Sequence, residues 1–253
     1  MGVGGLLALA VPPFHDIARG YYKSSGGVFL FCALVGGGGT IYLRVTRGVD
    51  AVSTTEAIAW AIFLLLFSGY LATLWGEAEK ARARLFTSSL LAGMVSLAMS
   101  AAAVTAGDSV FLDFVGILNV LAGAAALGAV TSGMLIGHWY LIDPGMEIEP
   151  FHRCFRFFLG ALVCETILIL AVLGVVGFGS GELVQNANNY WSLAGLRFAL
   201  GPVAALGLAF LIARVLAIPQ TMAATGLFYI ATLAVLVGNF LGRYFTFRTG
   251  LPL

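Results

Sequence analysis

Glu165, in the run Val163-Cys-Glu-Thr-Ile167, is a carboxyl group set near the middle of an apolar stretch. An ionised acid at such a depth in hydrocarbon is costly, so Glu165 is expected to be neutral or paired and is the first candidate for proton relay or for holding a polar ligand. The plainer role is a hydrogen bond across helices to a Thr or Asn. His138, in Gly137-His-Trp-Tyr-Leu141, is the second candidate, because an imidazole can pass protons, bind a carbonyl or ligate iron. Trp139 and Tyr140 beside it are amphipathic rings of the kind that settle at headgroup depth, and Tyr140 joins His138 as a candidate ligand contact. A haem b would need two axial ligands at matching depth, and the other histidines, His15 and His152, fall in connections. That argues against haem. A grouping of the three histidines with Asp16, Glu147 or Glu149 has no metal-ligand spacing. No nucleophile elbow, zinc-protease motif, P-loop or paired acidic motif is present, so the chain is not expected to be catalytic alone.

The elements that must position these residues follow from composition. Of 253 residues 60% are hydrophobic and only 10% charged, with a mean hydropathy of +0.99, more apolar surface than a water-soluble core hides. A helix needs roughly 20 apolar residues to cross the hydrocarbon, so seven spans and their links consume the chain. The expected fold is an all-α, polytopic membrane bundle, a single transmembrane domain with no soluble domain. Its spans are read at about 28–45, 56–75, 85–106, 114–142, 157–178, 193–217 and 221–241.

Several features modulate that plan. Gly2 to Val11 is apolar but too short to span and lacks a basic flank, which predicts an interfacial segment ending at Pro12-Pro13. Gly36 to Gly39 predict close packing by a neighbour, as do Ala125, Ala129, Gly133 and Gly137, small residues at every fourth position. Gly201-Pro202 predicts a kink in the sixth span. The charged stretch Gly76 to Arg84 is expected in water or headgroups, Arg197, Arg214 and Arg243 are expected to snorkel from helix ends, and Asn119 and Asn239 to bond across helices.

Eight basic residues (Arg19, Lys23, Lys80, Arg82, Arg84, Arg153, Arg156 and Arg214) fall on the face of the first connections and five on the other. The positive-inside rule then places the N-terminus in the cytoplasm and the C-terminus outside, as in a bacterial inner membrane. A net charge of +1 gives no field for nucleic acid. Cys32, Cys154 and Cys164, an odd number without paired spacing, imply neither a disulfide framework nor a zinc site.

The stretch Gly238-Asn-Phe-Leu-Gly-Arg-Tyr-Phe-Thr-Phe247 resembles the closing signature of membrane anchor subunits of dimethyl sulfoxide reductase and polysulfide reductase type, in which a late helix ends Gly-acid-x-x-x-Arg-aromatic. The resemblance covers ten residues, with Asn239 in the place of the acid and seven spans against eight or more. It implies a non-catalytic multi-pass subunit of an electron-transport complex that holds extrinsic redox subunits and exchanges electrons with quinone, with Asn239 and Arg243 near the quinone pocket. Two other readings stand beside it: a small proton-coupled transporter or channel, and a structural scaffold subunit of a membrane assembly.

Overall fold

The structure, a computed structural model, describes residues 1–14, 16–48, 52–105, 110–143, 145–178, 189–218 and 220–253. His15, Asp108, Asn186, Asn188 and Pro219 lie outside the described residues. All regular structure among the described residues is helical: α1 (Gly2–Ala8), α2 (Arg19–Arg47), α3 (Thr54–Thr73), α4 (Glu79–Thr105), α5 (Val110–Trp139), α6 (Glu149–Phe178), α7 (Trp191–Phe198), a π-helical turn (Ala199–Val203), α8 (Ala204–Leu216) and α9 (Thr221–Thr249). Seven stretches are long and apolar enough to cross a bilayer, α7 through α8 counting as one. The chain is an integral membrane helix bundle.

The helices extend past the apolar runs that mark them in sequence. α2 begins at Arg19, α4 at Glu79 and α6 at Glu149, each carrying a charged first turn, and α9 continues to Thr249. A helix satisfies its own backbone hydrogen bonds, so it need not stop where the hydrocarbon does. One end of α3 shows why the charged stretch before α4 is not wholly in water. Arg82 is buried, and its Nη2 donates to the carbonyls of Thr73 and Gly76 at 3.2 and 2.9 Å, capping the open end of α3.

Helix α5 is the central post, packed against α1, α4, α6 and α9. Its small residues allow this: a Cβ on Gly133 would overlap the Phe228 ring of α9, and one on Gly137 would overlap Thr225. The run Gly36 to Gly39 behaves differently from expectation. Only Gly37 meets a neighbour, the Trp60 ring at 2.6 Å from an added Cβ, while Gly36, Gly38 and Gly39 face open space. Four successive residues point around the whole helix, and α3 covers one side of it.

The largest departure from the sequence reading is α1. Instead of lying at the interface, Gly2, Gly4 and Gly5 are buried, and Gly4 packs on the Ala124 carbonyl while Gly128 packs on the backbone of Gly4 and Gly5. Gly2 meets Ala33, midway along α2. The segment therefore enters the bundle from the face where α2 starts and reaches mid-depth. Glycine on both partners removes the side chains that would hold two backbones apart.

Candidate functional site

Two apolar clusters divide the bundle along its axis. The larger includes Leu162 of α6, Ala205 of α8 and Val235 of α9, and the smaller includes Ile169 of α6, Ala194 of α7 and Phe245 of α9. Between them on the same three elements lie Glu165, Arg197 and Asn239. A polar layer thus separates two dry ones.

Glu165 and Arg197 form an ion pair in that layer, Arg197 Nη2 donating to Glu165 Oε1, with side chains 2% and 3% exposed. Arg197 does not snorkel. It lies in a slot made by glycines: an added Cβ at Gly201 would strike its Nη1, one at Gly238 would lie 2.9 Å from Nη1, and one at Gly242 would lie 2.7 Å from Nε. The carboxylate has a similar allowance on α5, where an added Cβ at Gly123 would lie 3.1 Å from Glu165 Oε1 and 2.5 Å from Asn239 Oδ1. Four glycines on three elements thereby give the pair its room. A buried pair holds in this setting because each charge compensates the other where water cannot.

The helix that carries Arg197 changes its winding next to the pair. Ala199–Val203 is π-helical with Pro202 inside it. Proline has no N–H to give, and a wider turn absorbs the missing bond. The kink expected at Gly201-Pro202 therefore takes the form of a π turn, one residue after the α-helix ends at Phe198.

A cavity of about 220 Å³ opens beside the pair, lined by Arg197, Asn239, Arg243, Asn119, Ser100 and Thr246 among others. Its rim includes Val104 and Phe247, both exposed on the outer surface of the bundle, so it communicates with the lipid side. Two of its buried polar atoms are orphaned: Arg197 Nε, a donor, and Asn119 Oδ1, an acceptor. The Asn119 amide is oriented by its own Nδ2, which donates to the Pro252 carbonyl at 3.4 Å. Asn239 Nδ2 bonds within its own helix, to Val235 O at 3.1 Å, instead of across helices. Arg243 reaches the wall with no ion pair among the described residues.

A second buried acid is linked to the cavity wall through Ser100. Glu56 follows Ser53, whose Oγ accepts from Glu56 N at 3.1 Å and caps α3. The Glu56 side chain turns inward and accepts from Ser100 Oγ, which in turn accepts from Trp60 Nε1 at 3.0 Å. Ser100 is thus shared between this chain of bonds and the cavity wall.

Of the five candidate ligand contacts, Glu165, Asn239 and Arg243 come together. His138 and Tyr140 do not join them. His138 is exposed and lies 15 residues along α5 from Gly123, roughly 22 Å at the helical rise. Tyr140 is 5% exposed and donates to the Glu147 carbonyl while its ring stacks on Phe151 at 5.5 Å, so it ties the link between α5 and α6. Burial pushes its phenol well above the ordinary value of 10.0. Among the described residues no three of His, Cys, Asp or Glu gather where they could hold a metal ion, and the three cysteines are free.

Arg197, Ser100 and Asn119, with Glu56 joined to the site through Ser100, are residues that sequence reasoning did not assign to it. For Arg197 a signal was present: an arginine six residues inside a span, followed by Gly201, with one unmatched acid elsewhere in the membrane. For Glu56 it was the Ser53-Thr-Thr-Glu56 capping pattern, which places the acid in the first helical turn. No protein-family model matches the chain, and no curated protein and no solved structure does either.

Proposed function

We propose that this chain is a non-catalytic integral membrane subunit of an electron-transfer assembly, and that its intramembrane cavity takes the head of a quinone. The observation that carries the reading is that two residues lining the cavity each hold a buried polar atom without a partner, the Arg197 Nε donor and the Asn119 Oδ1 acceptor. A quinone carbonyl accepts from the first and a quinol hydroxyl donates to the second, so the residues present fit both redox forms of one head group. The volume, about 220 Å³, is below the roughly 300–1,000 Å³ of drug-sized pockets and suits a single ring whose tail stays in lipid past Val104 and Phe247.

Bound there, the quinone supplies two-electron chemistry coupled to two protons. The chain's part is to orient the head with Arg197, Asn119 and Asn239, to hold positive charge near it with Arg243, and to fix the Arg197 guanidinium through its bond to Glu165. The resemblance of Gly238 to Phe247 to quinone-linked anchor subunits supports the same end of α9, since Asn239 and Arg243 both line the cavity. The distribution of basic residues supports a bacterial inner membrane with the start of α2 on the cytoplasmic face and the C-terminus outside, although Met1 itself is drawn into the bundle by α1, and on that orientation the cavity lies in the outer half of the bilayer.

A second reading, a proton-coupled transporter, has one observation in its favour. The π turn Ala199–Val203 interrupts the span that carries Arg197 two residues past it, and such turns recur where helices move or bind.

The deciding experiment is purification from native membrane in mild detergent, with mass spectrometry of co-purifying chains and quinone extraction from the same sample. Stoichiometric redox subunits and quinone support the leading reading. A chain that purifies alone and quinone-free sinks it, and proton uptake into proteoliposomes that is lost in Glu165→Gln then favours the transporter.

A further inference from the structure

A second cavity, unconnected with the Glu165 layer, lies at the opposite end of the bundle, and we infer that it is a binding site for the phosphate of a phospholipid headgroup. It measures about 580 Å³ and is lined by Arg19 of α2, Tyr70 of α3, Glu79, Arg82 and Phe86 of α4, and by Phe14 of the connection after α1. The end of α3 and the start of α4 meet here, which puts it at the edge of the membrane-spanning region.

Two residues lining this cavity each hold a buried polar atom without a partner. Tyr70 is fully buried, and its Oη has no hydrogen bond. Its ring is held between Phe67 at 6.3 Å and Phe86 at 5.1 Å, so the hydroxyl cannot turn away to find one. Arg82 is 8% exposed. Its Nη2 is used on the carbonyls of Thr73 and Gly76, but its Nε is orphaned. Native interiors rarely leave a hydroxyl and a guanidinium N–H unsatisfied in the same place, and both are donors, which asks for an acceptor with several lone pairs. Arg19, exposed on the rim, adds a second guanidinium.

Charge and shape select the ligand. Arg19 and Arg82 against Glu79 leave one net positive charge, matched by one phosphodiester. Phe14 and Phe86 make part of the wall apolar, and a free phosphate ion gains nothing from them, whereas a glycerol backbone and acyl chains do. Basic grooves between helices at the boundary are the usual seat of such headgroups.

The test uses the full chain, delipidated in mild detergent and studied by native mass spectrometry and thermal melting. Phosphatidylglycerol, diacylglycerol and inorganic phosphate are added in separate arms to the wild type, Arg19→Gln and Tyr70→Phe. The expected result is one phosphatidylglycerol held by the wild type, roughly tenfold weaker binding in each variant, the effect of one lost charged hydrogen bond, and no stabilisation by diacylglycerol. If Tyr70 were only a packed core ring, Tyr70→Phe would bind lipid as the wild type does. That result overturns the proposal, as does equal binding of diacylglycerol. Stabilisation by inorganic phosphate without lipid retention overturns the lipid source.

Discussion

Glu165 and Arg197 are 32 residues apart in sequence and share one buried hydrogen bond in a layer that has apolar residues above and below it. Because each is the other's charge partner, the two substitutions are strongly coupled. Glu165→Ala leaves a buried guanidinium uncompensated and is expected to destabilise by about 3–5 kcal/mol. The double substitution Glu165→Leu with Arg197→Met removes both charges and should recover most of that loss, since a packed apolar pair often matches a buried ion pair. Thermal melts in detergent give the stability, and quinone retention gives the function. A double variant that folds and still retains quinone as the wild type does would refute the proposed site.

The glycines divide into two classes with opposite predictions. Gly128→Ala places a methyl on the backbone of Gly4 and Gly5, and overpacking of that kind costs about 1–3 kcal/mol. Gly36, Gly38 and Gly39 have nothing within 4 Å of an added Cβ, so alanine there should be neutral or stabilising by about 0.5–1 kcal/mol through helix propensity. A melting temperature lowered by Gly36→Ala in the purified chain would contradict the open environment, and if it were lowered only in the native assembly it would reveal a partner helix on that face.

This division also shows where the sequence was readable. Hydropathy finds the seven spans because each must supply an unbroken apolar length to lipid, a constraint that acts residue by residue. It could not find α1: seven residues, three of them glycine, carry no span-length signal, and the burial depends on Gly128 far along the chain. Glu165 was legible as a costly isolated acid, but its partner was not. The usual expectation for an arginine near a helix end is that it snorkels, and Arg197 stays inside only because Gly201, Gly238 and Gly242 clear a slot for it. Asn239 and Arg243 are legible through a resemblance of pattern, whereas His138 rests on the cost of burying it and Tyr140 on its place beside His138, and the fold puts both at or just beyond the other end of α5.

Tyr140 offers a test through pH. In the folded chain burial holds its phenol protonated above the ordinary value of 10.0, while in the unfolded chain it ionises near that value. A group whose folded value is raised contributes its stability in full below the unfolded value and loses it as pH rises toward the folded one, so the loss begins near pH 10. The difference in melting temperature between wild type and Tyr140→Phe should be constant from pH 6 to about pH 9 and then narrow. Over the constant range the variant should be less stable by about 1 kcal/mol, the worth of its bond to the Glu147 carbonyl.

Ser100 is the joint between the two buried acids' surroundings, since its hydroxyl donates to Glu56 and accepts from Trp60 while the residue also lines the cavity beside Arg197. Ser100→Ala strands a buried carboxylate and an indole N–H together, an expected loss of about 1–3 kcal/mol for each unsatisfied group. Glu56→Gln keeps a hydrogen-bond acceptor for the same hydroxyl and should be much milder. Tryptophan emission reports the change directly, because Trp60 loses its polar partner in Ser100→Ala and keeps it in Glu56→Gln. If Glu56 instead carried protons to the cavity, Glu56→Gln would lower quinone-linked turnover of the assembly while leaving both the melt and the emission near wild type, which separates a conducting acid from one that only braces α3 against α4.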